Sequence, residues 1–464
     1  MVVQVIILAA GQGKRMVSRT SKMLHPLARK PLLKHIIETV TEVSNTPAPI
    51  IIYGHDGDAV RAAFQHENLQ WVEQKQQLGT GHAVMQALPL LNDHDSDHDS
   101  VLILCGDVPL ISAQTLKQLI ATTPKNAIGM LTAQLSQPEG YGRIIRDAQQ
   151  HITNIIEEKD ASEKERAITE INPGIYFIPT TFLKKSLPKL NNQNKQHEYY
   201  LTEMIAHAVK DKITIHTMMP AHIEEILGVN DRVQLAHLER FYQRQAAEKL
   251  MHAGVTIIDP ARIDIRGDVQ IAADVVIDID VILIGKVVIG AGCVIGPHVI
   301  LQDVTLSENV EVKANSMIEG ATIDADCVIG PFARIRPATH LSAHVHIGNF
   351  VEIKKSDVGA HTKISHLTYI GDSRIGKNVN VGAGTITCNY DGINKHETII
   401  GDDVHIGSDT QLIAPVKIGN GATIGAGSTV AKDVPPQQLT ITHKLEQRSV
   451  KNWQRPIKTK KEKE

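Results

Sequence analysis

The chain has 464 residues, 42% of them hydrophobic, and a formal net charge of −3. That length carries two or three domains, and so small a net charge lays down no broad field for nucleic acid or a membrane surface. Only 3% of the residues are aromatic, so something other than aromatic cores must organise part of the molecule.

Taken from the N-terminus, Val3 to Leu8 reads as an apolar strand and Ala9 to Arg19 as a glycine-containing turn. The apolar opening Met1 to Ala10 has no basic n-region and runs straight into Gly11-Gln-Gly-Lys-Arg15, which is not how a signal peptide reads. No apolar run approaches the roughly 20 residues of a membrane span. Pro31 to Val43 has helical spacing, and Ile50 to Tyr53 and Val101 to Leu104 are short apolar strands suited to a buried parallel sheet. Asp107 follows the last of these directly, at the carboxyl edge where such sheets present ligand groups. The turn lacks the third glycine of a dinucleotide fingerprint, since Met16 holds that place, so NAD binding is not supported. Its backbone N–H groups still suit phosphate, and Lys14, Arg15 and Lys22 add charge. The run Asp93-His-Asp-Ser-Asp-His-Asp99 reads as an acidic surface loop rather than a metal site. Asp231 to Leu250 has the spacing of a linking helix. The boundaries expected are therefore an α/β domain over 1–229, a linker over 230–252 and a second domain over 253–464.

That second domain carries a period of six. Ile323, Ile329, Ile335, Leu341, Ile347 and Ile353 fall on one beat. The beat slips by one at Val358 and again at Ile375, is lost between Val381 and Ile400, then runs on from Ile406 to Val430. Weaker beats begin near Ile265. Small residues such as Cys327, Ala333, Thr339 and Thr362 stand two before the beat, so both side chains enter one narrow bore. Glycine often follows the beat, as at Gly348, Gly359 and Gly401, and is read as relief for the backbone at a corner. This is the hexapeptide repeat of a parallel β-helix, and the narrow bore accounts for the scarcity of aromatics. The interruption, with Thr387-Cys-Asn-Tyr-Asp-Gly392, is read as a functional loop projecting from one edge.

The four cysteines, Cys105, Cys293, Cys327 and Cys388, form no C-x-x-C pair, and so long a chain needs no disulfide staples, which favours a reducing compartment. The tail from Lys458 is charged but mixed in sign and reads as a solvated end.

Leu8 to Met16 followed by Lys22, with Gln77-Leu-Gly-Thr-Gly-His-Ala83, Gly106-Asp-Val-Pro-Leu110, Gly140-Tyr-Gly-Arg143 and Gly228-Val-Asn-Asp-Arg232, resembles the signature of sugar-phosphate nucleotidylyltransferases. Phe332-Ala-Arg-Ile-Arg-Pro337, Gly348 to Lys355, His366-Leu-Thr-Tyr369 and Gly382 to Gly392 narrow it. Over nearly its whole length the chain is similar to the bacterial bifunctional N-acetylglucosamine-1-phosphate uridyltransferase / glucosamine-1-phosphate N-acetyltransferase family. The resemblance implies a Rossmann-like α/β nucleotidyltransferase domain joined to a left-handed parallel β-helix. It implies two reactions: acetyl transfer from acetyl-CoA to glucosamine 1-phosphate, then uridylyl transfer from UTP to N-acetylglucosamine 1-phosphate. It also implies a cytoplasmic homotrimer that uses Mg²⁺ and supplies UDP-N-acetylglucosamine for peptidoglycan and lipopolysaccharide.

Carried over position by position, Asp107 and Asn230 match metal ligands, Lys22 a phosphate-binding lysine, and Leu8, Ala9, Ala10 and Gly11 nucleotide contacts. Gln74, Gly79 and Thr80 match residues around the uracil; Gly142, Glu157 and Asn172 match contacts to the N-acetylglucosamine unit. In the second domain His366 matches the base that an amine acceptor requires, and Glu352 is expected to hold its charge. Arg336 and Lys354 match phosphate ligands, Tyr369 and Asn380 sugar contacts, and Ala383, Tyr390, Ser408 and Ala426 acetyl-CoA contacts, with Asn389 matching in both sets. The chain departs from the family at Lys14, Cys105 and Pro173, and His443, followed by Lys444, stands where an arginine commonly meets the coenzyme tail. Other readings stand beside this one. One is a single nucleotidylyltransferase with an assembly-only solenoid, and another is a non-catalytic binding solenoid. A third is a zinc site drawn from His344, His346, His361 and His366, like the γ-class carbonic anhydrases.

Overall fold

The computed structural model describes residues 3–11, 13–43, 48–54, 57–91 and 99–442. Asp93 to His98, His443, Lys444 and the charged tail lie outside the described residues. The chain divides into two compact units between Ala246 and Ala247, inside a helix that runs from Arg232 to His252.

The first unit is built on a seven-stranded sheet. Its order is Ile215–Met218, Ile128–Leu131, Tyr176–Pro179, Ser100–Cys105, Val3–Ala9, Ile50–Tyr53 and Gln70–Glu73. Tyr176–Pro179 runs antiparallel to both neighbours and the other pairings are parallel. Both faces are covered. Along Val3–Ala9, Val5 and Ile7 enter one core cluster and Ile6 the other, which is why the strand is apolar throughout instead of alternating. Helix Leu32–Val43 closes the first face with Leu33, Ile36, Ile37 and Val40. A four-stranded antiparallel sheet adds Ile152–Ile156, Gly142–Arg146, Glu170–Asn172 and Ala133–Gln134. Arg143 is buried within it and ion-paired to Glu158 at 2.7 Å, as a charge taken out of water must be.

The second unit winds parallel strands from Thr256–Ile257 to Leu439–Thr440 into a left-handed β-helix of the hexapeptide type. The coils begin earlier than the beat near Ile265 suggests, because Thr256–Ile257 already pairs with Val276–Ile277. Beat residues stack in register, Ile335 on Ile353 and Ile353 on Ile370. They and the small residues two before them are buried.

Two expectations are corrected. The beat runs one step past Val381 before the interruption. Thr387 takes it, 1% exposed, in register with Leu412, and its hydroxyl accepts a hydrogen bond from Gly371 N at 2.8 Å. A count of aliphatic residues passes over a threonine whose hydroxyl is satisfied inside the bore. Nor, except at Gly330 (φ 95), do the glycines directly after the beat relieve the corners. The left-handed corner residues come three after the beat, and while some are glycine (Gly384, Gly421, Gly427), many carry side chains: His344 (φ 61), Phe350 (φ 56) and His361 (φ 61). At the two slips the corner is one residue shorter, and the left-handed residue comes two after the beat, at Lys355 and Asp372. Gly348 and Gly359 are not left-handed. A Cβ on Gly348 would overlap the Ser365 carbonyl of the next coil, and one on Gly359 would lie 2.5 Å from Gly376 C. These glycines let successive coils close on each other.

Gly348→Ala is therefore expected to destabilise the solenoid by about 1–3 kcal/mol, the usual cost of overpacking. Ala338→Gly, at φ 60, is expected to be neutral or slightly stabilising. Thermal unfolding of the two variants checks both signs, and the reverse pattern would restore the corner reading.

Candidate active sites

In the first unit the strand Val3–Ala9 and its neighbour Ser100–Cys105 end side by side, with Gly106 N donating to Leu8 O at 2.8 Å. This brings Asp107 to the turn after Leu8. Val229 N donates to the Asp107 carbonyl at 2.8 Å, so the segment before helix Arg232–His252 delivers Asn230 to the same point. Lys22 sits between them. Its Nζ lies 2.5 Å from Asp107 Oδ2 and 2.9 Å from Asn230 Oδ1, and its side chain is 6% exposed. Two hard oxygens thus converge on one cation. That donor set fits Mg²⁺, which takes few protein ligands and keeps room for water and phosphate.

Two cavities, each of about 270 Å³, meet here and share Leu8, Thr80, Cys105 and Asp107. One is lined by Ala10, Gly11, Lys22, Gln74 and Gly79. Gln74 is buried and its Nε2 donates to Gly79 O at 3.0 Å; Gly79 has φ 102, and a Cβ there would press on Tyr199 O. The other is lined by Gly142, Glu157, Asn172 and Asn230. Ala9 is the exception among the expected nucleotide contacts: it packs into the core and borders only a third cavity, of about 380 Å³, beyond the turn.

The second cavity also has Tyr176 and Thr202 in its wall, residues no sequence motif marks. Asn172 Nδ2 donates to Tyr176 Oη at 2.7 Å, and Asn172 Oδ1 accepts from Gly174 N at 3.1 Å. Thr202 Oγ1 donates to Glu157 Oε1 at 2.9 Å. Burial pushes the Glu157 carboxyl up and the Tyr176 phenol well up. Burial likewise pushes the Cys105 thiol up to about 12, with the Asp107 charge adding to it, so Cys105 is an uncharged wall and no nucleophile.

In the solenoid, in-register stacking turns scattered motif residues into columns. Asn349, His366, Ala383, Ser408 and Ala426 each stand two past a beat, along one edge; the beats Ile347, Ile364, Val381, Ile406 and Ile424 pair in succession. His366 Nδ1 meets Asn349 Oδ1 at 2.9 Å. An amide oxygen accepts there, which puts the proton on Nδ1 and leaves Nε2 free. Glu352, expected to hold the charge of His366, is paired otherwise in the single chain. Its Oε1 binds Arg336 Nη1 at 2.7 Å, because Glu352 lies on the adjoining face in register with Tyr369.

Lys354 follows on that face. Contact with Lys395, then burial and the Arg336 charge, push its ammonium down, so three cations crowd a place that an anion would relieve. Asn380 stands elsewhere. Its strand pairs with His405 on a different sheet from Tyr369–Gly371, so one chain does not turn both side chains to one face. Asn389 is buried at the root of the projecting loop, and Tyr390 is exposed on it, donating to Gly392 O at 2.6 Å. His344 and His361 stack at 4.6 Å on one edge while His366 stands at another. Among the described residues no three metal-ligating side chains converge.

Comparison with known proteins locates both halves. A MobA-like NTP transferase domain matches residues 5–175, a bacterial transferase hexapeptide (six repeats) matches 397–432, and a GMPPB C-terminal domain matches 265–339. The Bifunctional protein GlmU of Nitrosospira multiformis is 52% identical over 460 residues, 99% of each chain. That of Janthinobacterium sp. is 50% identical over 458 residues, 98% of this chain and 100% of its own. That of Marinobacter nauticus is 48% identical over 454 residues, 98% of this chain and 99% of its own.

Because the Lys22 ammonium already fills the point between Asp107 and Asn230, Lys22→Met should leave that point to a divalent ion. Titration of the free chain with Mn²⁺ is expected to show binding roughly tenfold tighter in Lys22→Met, about 1.4 kcal/mol. Equal or weaker binding would mean that the two oxygens do not form the metal site.

Proposed function

The chain belongs to the bifunctional GlmU family and is a transferase with two activities that together make UDP-N-acetylglucosamine; from that premise we propose how its two units divide the chemistry. The observation that carries the proposal is the pair of separate constellations, one of phosphate and cation groups at a sheet edge and one around a histidine on a solenoid edge.

Acetyl transfer takes place on the second unit. The amine of glucosamine 1-phosphate attacks the thioester carbonyl of acetyl-CoA; a C–N bond forms, the C–S bond breaks, and coenzyme A leaves as its thiol. His366 Nε2 takes the proton that the amine must lose, with Asn349 fixing the ring. Arg336 supplies a fork and Lys354 a point charge to the sugar phosphate. Ala383, Ser408 and Ala426, stacked below His366, form the track for acetyl-CoA. Tyr369 and Asn380 contact the sugar. Their placement on different sheets supports a site completed by a second copy of the chain, and hence the homotrimer.

Uridylyl transfer takes place on the first unit. An oxygen of N-acetylglucosamine 1-phosphate attacks the α-phosphorus of UTP; one P–O bond forms and the bond to pyrophosphate breaks. Asp107 and Asn230 would hold Mg²⁺, which when bound would supply charge neutralisation on the phosphates. Lys22, released from those two side chains, takes a phosphate oxygen. Gln74, with one donor and one acceptor, meets the imide edge of uracil, and Glu157 and Asn172 hold the sugar. Among the described residues no helix is long and apolar enough to cross a membrane.

Two single substitutions test the division. His366→Ala is expected to lower acetyl transfer by roughly 10²-fold or more and leave uridylyl transfer within twofold. Asp107→Ala is expected to do the reverse. Loss of both activities in either folded variant would contradict the assignment.

A further inference from the structure

We propose that Asp372 is a positioning residue for acetyl transfer: its carboxylate holds the Asn389 amide beside the Tyr369 hydroxyl, and its backbone closes the loop that carries Tyr390. The inference rests on the assignment of Tyr369, Asn389 and Tyr390 to the acetyl-transfer site.

Both ends of the projecting loop are tied to this one residue. At the entry, Asn389 Nδ2 donates to Asp372 Oδ2 at 2.6 Å; at the exit, Thr398 N donates to Asp372 O at 3.2 Å. Asp372 is 8% exposed and Asn389 7%, so the pair is out of water, where a charged hydrogen bond is strong and an orphaned partner costly. The second carboxylate oxygen is ion-paired to Lys355 Nζ at 3.1 Å, while the Lys355 side chain is 66% exposed. Burial works against the charge on Asp372, but the Lys355 ammonium and the Asn389 amide outweigh it and hold the carboxyl low. Gly371, between Tyr369 and Asp372, matters too: a Cβ there would strike both Tyr369 Oη and Asn389 Nδ2, so both polar groups lie over it.

The loop keeps its own shape. Asp391 accepts from Ile393 N at 2.8 Å and Asn394 N at 2.6 Å, and pairs with His396 at 2.7 Å. What remains to be fixed is how this braced loop is set on the solenoid. Asp372 fixes it, at a left-handed corner that exists because the coil is one residue short there.

The test uses the full-length chain, so that uridylyl transfer serves as an internal control. Three variants, Asp372→Ala, Asp372→Asn and Lys355→Met, are assayed by thiol release from acetyl-CoA with glucosamine 1-phosphate, and by hydrogen exchange over residues 389–396. Asp372→Ala is expected to raise KM for the sugar phosphate by roughly tenfold to a hundredfold, the range for losing a hydrogen bond to a charged group. It should also speed exchange in the loop and leave uridylyl transfer within twofold. Asp372→Asn keeps an acceptor for Asn389 and should recover most of that KM. Lys355→Met, at a solvent-facing side chain, should give a smaller rise of the same kind; it decides the matter if Asp372→Ala does not fold. Wild-type KM and loop exchange in both Asp372→Ala and Lys355→Met would overturn the proposal. So would a loss in Asp372→Ala that falls equally on both activities. Absence of thiol release from the wild-type chain would instead overturn the underlying acetyl-transfer reading.

Discussion

Close stacking of one coil on the next is the constraint on which the second unit depends. Gly348, Gly359 and Gly401 stand where a Cβ would collide with the coil below. At those places glycine lets the next coil come to parallel β pairing, while Arg336, Ser342 and Lys354 stand at the same rank in other coils. Once the stack is closed, residues of equal rank fall into columns whatever their separation along the chain. His366 meets Asn349 through a register set by coil length, and Glu352, in register with Arg334, reaches diagonally to Arg336. A catalytic edge is then a consequence of packing. The same geometry explains why a projecting loop can be tolerated: Thr387 keeps the beat, so the loop after it adds length without breaking the column.

The first unit solves a different problem, that of bringing several anions together. Its sheet ends deliver an acid, an amide and an ammonium to one point, where Lys22 balances Asp107. Burial raises Glu157, Tyr176 and Cys105 around that point. Arg143, a fully buried cation, is held off by Glu158 and braces the wall instead.

Much of this is legible in the sequence because it is local. The strand Ile50–Tyr53 and the six-residue beat are written as runs of side chains and stand where expected. What the sequence hides depends on distance or on chemistry that a pattern does not weigh. Thr387 reads as a lost beat because a hydroxyl looks wrong for the bore. Glycine after the beat is credited with φ freedom, when many of the left-handed residues carry side chains, as at His344, Phe350 and His361, and the glycine serves the neighbouring coil. Tyr176 and Thr202 reach the sugar-side cavity from elements with no motif, and only the folded sheet brings them there.

The claim on which the account turns is that the solenoid is an enzyme and not merely a scaffold. Following free thiol from acetyl-CoA with the wild-type chain, with and without glucosamine 1-phosphate, tests it most directly. The account predicts release that requires the sugar phosphate and proceeds without UTP. No sugar-dependent release from a folded sample that still carries out uridylyl transfer would contradict it.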